Sequence, residues 1–530
     1  MPEGAPRAAG VAVPAAAGSA ATLSRTARLM TWALVGLVVW LPLQTPVAIA
    51  VFQYGNSVDL SRATLLLKDV VVAFLLLYAL AANWRSLDLR WFDKAAVAYA
   101  VLVAVYSTVP WLLGSHQTVS AVTAAARMFA LPVEAYALGR LAFLAGADLR
   151  VVFKAFVAAS AVIAATAVIE YYLLPITFWS STLDLITFER VVQGLPQAVS
   201  LWDISLLGDY GAGGGVFPRA IATFTHPVGA GGYFILPLAL TVAAWYGREA
   251  HGKRLITAGL IGLTILFGLA TVVTISRGAW MAGAVVVVMC GLMFHRLRIA
   301  FVCLVVVGVF FVSVPPFNAS ITSAFNRNDA SLLGHAEAIG RDVQAAVAHV
   351  FGLGIGSTDQ GVNIDTGPTP NPSAPPTPNP SAPPTANPSA QAGQTQTTVQ
   401  SQSGQTVTGG DTFGLGENLY LSMLLSTGPF GLVAFLVWCL GLIVVLLRAA
   451  GQSANKWVVV GSATALAGSM ASAMTSSALL KFTTAASSWV LLGLATALVL
   501  ANSSGTGTTG RPDLRFTRWL SRRTKRDPEA

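Results

Sequence analysis

The sequence predicts an all-α fold: a polytopic helical membrane protein of about twelve transmembrane helices with one large extracytoplasmic loop. Three observations carry that prediction. Of 530 residues, 54% are hydrophobic and only 10% charged, too little polar surface for a water-soluble globule. Apolar runs of roughly 20 residues recur along the chain, the length a helix needs to cross a bilayer with every backbone group satisfied internally. The formal charge of +9 is concentrated between alternate runs, so it reads as topology and not as a nucleic-acid surface.

Residues 1–29 are rich in Ala, Pro and Gly, carry Arg7, Arg25 and Arg28, and read as a disordered cytoplasmic tail. The first apolar run, 30–52, contains Pro42 and Pro46. Its Ala48-Ile49-Ala50 looks like a signal-peptidase site, but the run is longer than a signal-peptide core, so it reads as a span. Four more spans are expected near 63–82, 94–113, 118–138 and 151–174. A mixed segment, 175–225, follows, with Trp179, Trp202 and a glycine cluster at 211–215. Spans resume near 228–246, 255–275, 278–294 and 298–314, completing a first block over 30–315. The polar stretch 316–416 is the large loop. Three last spans fill 417–502, near 418–447, 457–479 and 484–501, and a basic cytoplasmic tail closes the chain at 503–530. Cys290, Cys303 and Cys439 all fall in apolar runs and read as small packed hydrophobes; no paired Cys, His or carboxylate spacing suggests a metal.

Charge tests this topology. Of the 32 basic residues, 23 fall in the two tails or at Arg85, Arg90, Lys94, Arg140, Arg150, Lys154, Arg248, Lys253, Arg254, Arg296, Arg298, Arg448 and Lys456. With twelve spans all of them lie on one side, and the positive-inside rule places both termini in the cytoplasm. The remaining nine, Arg62, Lys68, Arg127, Arg190, Arg219, Arg277, Arg327, Arg341 and Lys481, are not required by orientation. Arg219, Arg277 and Arg341 stand in or beside outer turns, and fixed guanidinium groups there suit an anionic ligand such as a phosphate or diphosphate. Arg277 lies in a short turn between two apolar runs, where it is either a snorkelling anchor or a site residue.

The loop has two parts. Residues 331–358 have helical spacing and close on Gly352, Gly354 and Gly356, which permit a tight turn or close backbone approach. The insert 366–410 contains a repeated PTPNPSAP unit and a Gln/Thr/Ser/Gly tract, too apolar-poor to form a core, and reads as an extended spacer. Glycosylation or wall contact is the alternative. Past it, Glu417 opens the next span, as a helix-terminal acid favoured by the macrodipole or as a general base at the bilayer surface.

Four stretches together resemble the O-antigen ligase and polymerase superfamily of bacterial membrane glycosyltransferases: FPRAIATFTHPVGAGGY (217–233), ISRGAW (275–280), the helix leading to Gly-x-Gly (331–356) and ENLYLSMLLSTGPFG (417–431). The resemblance covers about 215–447 by motif and the first five spans by hydropathy. Glu417 stands where the ligases carry His. His335 follows Gly334 where an Arg is expected, and Arg341 lies about a turn and a half later. Glutamate can accept a proton; a histidine cannot replace a permanent charge at neutral pH unless its pKa is raised, whereas Arg341 can.

The resemblance implies a GT-C-like bundle in the bacterial inner membrane. It also implies a glycan donor on undecaprenyl diphosphate, a glycan or lipid acceptor, contact with membrane lipids and with other polysaccharide-assembly proteins, and no cofactor or metal. Arg277 and Arg219 would offset charge on the departing diphosphate and Glu417 would take the acceptor proton. Arg341, His335, Asn418 and His226 would bind substrate, with Asn418 orienting the acceptor hydroxyl. Two other classes compete: a transporter or flippase for a polar solute or lipid-linked glycan, for which Lys68, Asp69, Arg127 and Glu134 supply mid-membrane polar groups, and a non-catalytic scaffold.

Overall fold

The structure is a computed structural model. It describes residues 20–83, 88–112, 119–175, 178–192, 207–208, 217–248, 254–315, 317–318, 321–322, 330–355, 399–400, 406–407, 418–451, 453, 455–475, 479 and 483–503. Helices dominate them: α1 (Ala20–Gly55), α2 (Val58–Asn83), α3 (Trp91–Leu112), α4 (Val119–Leu144), α5 (Leu149–Leu173), α6 (Leu185–Val191), α7 (Pro227–Tyr246), α8 (Arg254–Val273), α9 (Arg277–Met293), α10 (Leu297–Ser313), α11 (Ala330–Ala348), α12 (Leu419–Ala450), α13 (Lys456–Ser472) and α14 (Thr483–Ser503). A π-helical turn, Phe178–Thr182, precedes α6, and two-residue antiparallel pairings join Leu207–Gly208 to Phe217–Pro218 and Val399–Gln400 to Thr406–Val407.

A helix lies in each of the twelve predicted segments, although α13 ends at Ser472, short of the predicted 479, and they are not equivalent. Among the described residues, seven helical stretches, within α1, α2, α3, α5, α7, α8 and α12, are long and apolar enough to cross a membrane. The chain is thus a helical membrane protein. Helices α9 and α10 have 17 residues each, about 25 Å at 1.5 Å per residue, and α4 carries Arg127, Glu134 and Arg140. Helix α1 begins at Ala20, ten residues before the predicted start, and runs through Pro42 and Pro46 without a break. The 1–29 tail is therefore partly helical. The predicted insert, apart from 399–400 and 406–407, and the second tail lie outside the described residues.

Small residues let the helices approach closely, as expected where lipid offers no hydrophobic drive for helix association. Gly139 of α4 and Gly493 of α14 face each other so tightly that a Cβ on either would strike the other helix's backbone, at Val490 O and Tyr136 O. Gly461 and Gly468 bring α13 against Leu240 of α7 and the Ala282 carbonyl of α9. Aromatic side chains fill the centre: Trp438 and Trp489 stack at 4.5 Å, with Tyr99, Tyr136 and Phe435 around them.

Two ends of the bundle are chemically distinct. At one, Asp148 N donates to Thr31 Oγ1 (2.8 Å), the Lys456 ammonium sits 4.8 Å from the Phe294 ring, and Arg140 pairs with Asp93, which also accepts from Tyr136 OH (2.8 Å). Arg140 and Lys456, two of the basic residues that the topology groups together, stand at this end. At the other end stand Arg219, Arg277 and the starts of α7, α9 and α12.

Candidate functional site at the Arg277 end

Three helices begin side by side at this end. Ser276 occupies the N-cap of α9 with extended backbone, and its hydroxyl makes no capping bond. Gly278, in the first turn of α9, packs so closely on the end of α13 that an added Cβ would lie 2.6 Å from Thr475 Oγ1 and 2.8 Å from Ser472 Oγ. The same stretch of chain receives α12: Leu419 N donates to Ala473 O (3.0 Å) and Asn418 Nδ2 to Met474 O (2.8 Å). On the other side, Gly231 of α7 brings that helix against Thr274 and Ala279. Helix N-termini carry partial positive charge, so three of them together form a region suited to an anion.

Arg219 reaches the same turn. Its Nε donates to Thr274 O (3.2 Å), and Ala220 N donates to Val273 O (3.0 Å), which fastens the 219–226 segment to the turn that presents Arg277. Both arginines are partly buried. His226 lies at the N-cap of α7, where Nδ1 accepts the Val228 amide (3.2 Å). Burial of the ring and the neighbouring Arg219 charge push its pKa down to about 3. The ring is neutral at physiological pH, with its proton on Nε2 because Nδ1 is an acceptor.

A residue the sequence reading passed over holds this arrangement in place. Glu170, in the last turn of α5, is buried and accepts from Ile221 N (2.9 Å) and Trp179 Nε1 (2.7 Å) on one oxygen and from Ala222 N (2.6 Å) on the other. A lone carboxylate ending an apolar span was the available signal. Ala222 and the β-branched Ile275 both adopt positive φ, 54° and 46°. Such left-handed backbone costs on the order of 1–3 kcal/mol per residue and persists only when its surroundings fix it. It occurs here three residues from Arg219 and two from Arg277.

The structure thus brings Arg219, Arg277, His226 and Asn418 together. Asn418 caps α12: its Oδ1 accepts from Tyr420 N (2.9 Å) and Leu421 N (3.3 Å) while Nδ2 binds Met474 O. Glu417 and the His335 side chain lie outside the described residues. Arg341 is partly buried on α11, which packs on α12.

The Gly352-Leu353-Gly354 turn has a docking place. Leu353 N donates to Leu425 O (2.6 Å) and Ile355 N to Tyr106 O (3.0 Å), where α12 is broken at Gly428 (φ 65°) before Pro429. Away from this end, Lys68 is buried in α2, with Nζ donating to Leu65 O (2.7 Å) and 3.4 Å from Asp69, which also pairs with Arg127 of α4 at 3.3 Å. Among the described residues no three His, Cys, Asp or Glu side chains gather where they could share a metal ion.

Compared with known proteins, the chain matches no family model and no curated protein.

Proposed function

We propose that this protein is an inner-membrane glycosyltransferase of the O-antigen ligase and polymerase kind, working on the extracytoplasmic face. With twelve crossings and the basic end in the cytoplasm, the Arg277 end faces outward. The observation that carries the reading is the convergence there of Arg219, Arg277 and three helix N-termini on one turn. A departing polyprenyl diphosphate gains negative charge as the sugar–phosphate bond breaks, and fixed cations and dipoles already in place stabilise that charge without reorganising.

In the proposed step the acceptor hydroxyl oxygen bonds to the anomeric carbon of the donor glycan. The bond from that carbon to the diphosphate oxygen breaks, its electron pair leaves with the lipid diphosphate, and the hydroxyl proton passes to Glu417. Asn418 positions Glu417 by setting the start of α12. Arg341 and His335 would serve the glycan or acceptor from α11.

A second reading has an observation of its own. Lys68, Asp69 and Arg127 form a charged group well inside the helical segments α2 and α4, the kind of feature a transporter places along its path. One experiment separates the two. Purified protein in liposomes receives a synthetic polyprenyl-diphosphate oligosaccharide and a soluble glycan acceptor. Lengthened acceptor and released lipid diphosphate support the transferase; donor that crosses the bilayer intact, with no product, supports the transporter and overturns our reading.

A further inference from the structure

We propose that α11 is embedded sideways in the lipid leaflet at the Arg277 end, with one face against acyl chains. The helix has three faces. Asp342 and Ala345 are buried against protein, at 1% and 2% exposure. Gln344 is exposed and Arg341 partly buried on a polar side. Between these faces, Ile339, Val343 and Val347 follow helical spacing and are exposed, Val347 to 72%, and the exposed Val350 follows in the turn just past the helix end. An apolar stripe flanked by a protein-facing and a polar side is the pattern of a helix lying in a membrane interface.

Depth decides what covers the stripe. The chain leaving α11 is pinned by Leu353 N to Leu425 O and by Ile355 N to Tyr106 O. Leu425 is seven residues inside α12 from its Asn418 cap, about 10 Å along the span at 1.5 Å per residue. Helix α12 has 32 residues, about 48 Å at 1.5 Å per residue and longer than a hydrocarbon core of about 30 Å, so the end of α11 is held near the boundary between headgroups and acyl chains. The patch also continues into a surface already facing lipid. The Phe351 carbonyl lies where a Cβ on Gly428 would be, and beyond that break Phe430, Val433 and Val437 line the exposed side of α12. The 356–417 segment is a poor alternative cover: it is dominated by Pro, Ser, Thr, Asn, Gln and Gly.

Spin labels on the full chain in liposomes test this, using Val343→Cys, Val347→Cys and Gln344→Cys, with the wild-type chain treated in parallel as background for its own cysteines. Lipid burial predicts that labels at 343 and 347 collide more with oxygen than with a water-soluble nickel chelate, and that the label at 344 shows the reverse. The Gln344→Cys label, on the polar side of the same helix, also reports that α11 has formed. Nickel-dominated collisions at 343 and 347 would overturn the proposal. So would protection that vanishes on deleting 368–405, which would make the insert the cover, or dipolar coupling between labels on different molecules, which would make it a second copy.

Discussion

The Glu170 carboxylate accepts the amide of Ala222 at 2.6 Å, joining the end of α5 to a segment 52 residues further along the chain. Ala222 stands in left-handed backbone, and its amide and that of Ile221 both end on this one side chain. The carboxylate is acceptor-only when ionised, which suits three converging N–H donors.

Glu170→Gln should therefore destabilise the protein by about 1–3 kcal/mol, because the new amide NH2 must face a backbone or indole donor. Glu170→Ala, which leaves all three donors without this acceptor, should cost about 3 kcal/mol or more. Thermal midpoints in detergent check the order. Transfer activity should fall further than stability does, since the freed segment carries Arg219.

His226 makes the stability pH-dependent. Its pKa is about 3 in the folded protein and about 6.5 when unfolded. Between those values the unfolded chain binds the extra proton, so stability is full above about pH 6.5 and is lost as the pH falls toward 3, by up to about 1.4 kcal/mol per pH unit. His226→Asn keeps an N-cap acceptor and should flatten that slope. Unfolding midpoints at pH 5 and pH 7.5 compare the two.

The arginines and Glu417 can be separated kinetically. Arg277→Lys and Arg219→Lys keep the charge but lose the planar two-pronged donor, and each should slow transfer by about 100-fold. Glu417→Gln should abolish transfer while donor binding persists, and Glu417→His should retain part of it. Initial rates with a synthetic lipid-diphosphate donor read all four; wild-type rates in Glu417→Gln would leave that residue as a helix-terminal acid only.

Helix crossing is tested at Gly493. Gly493→Val drives a branched side chain into the Tyr136 carbonyl and should cost more than about 4 kcal/mol, seen as loss of monodisperse protein. Gly259→Val, where nothing lies within 4 Å of the added Cβ, should stay within about 0.5 kcal/mol of wild type.

The helices were legible because apolar runs of spanning length leave the backbone no other solution, and the basic end because cations follow orientation. Arg219 and Arg277 could be singled out since topology did not need them. Glu170 escaped because its partners lie 51 and 52 residues away in a segment without periodicity. The cap role of Asn418 carried a readable signal, an Asn directly before an apolar helix. The seven-residue depth at which the glycine turn meets α12 has no local trace in sequence: Gly428-Pro429 signals a break in the helix, but not that Gly352 packs against it.

That last contact binds two distant positions to a common history. A Cβ on Gly352 would lie 2.8 Å from Gly428 N, and one on Gly428 would lie 2.7 Å from Phe351 O. Neither residue can gain a side chain while its counterpart's backbone stays in place. When homologous sequences are compared, the two positions should change together or not at all, so a lineage that replaces one glycine should also have rebuilt the turn or straightened α12.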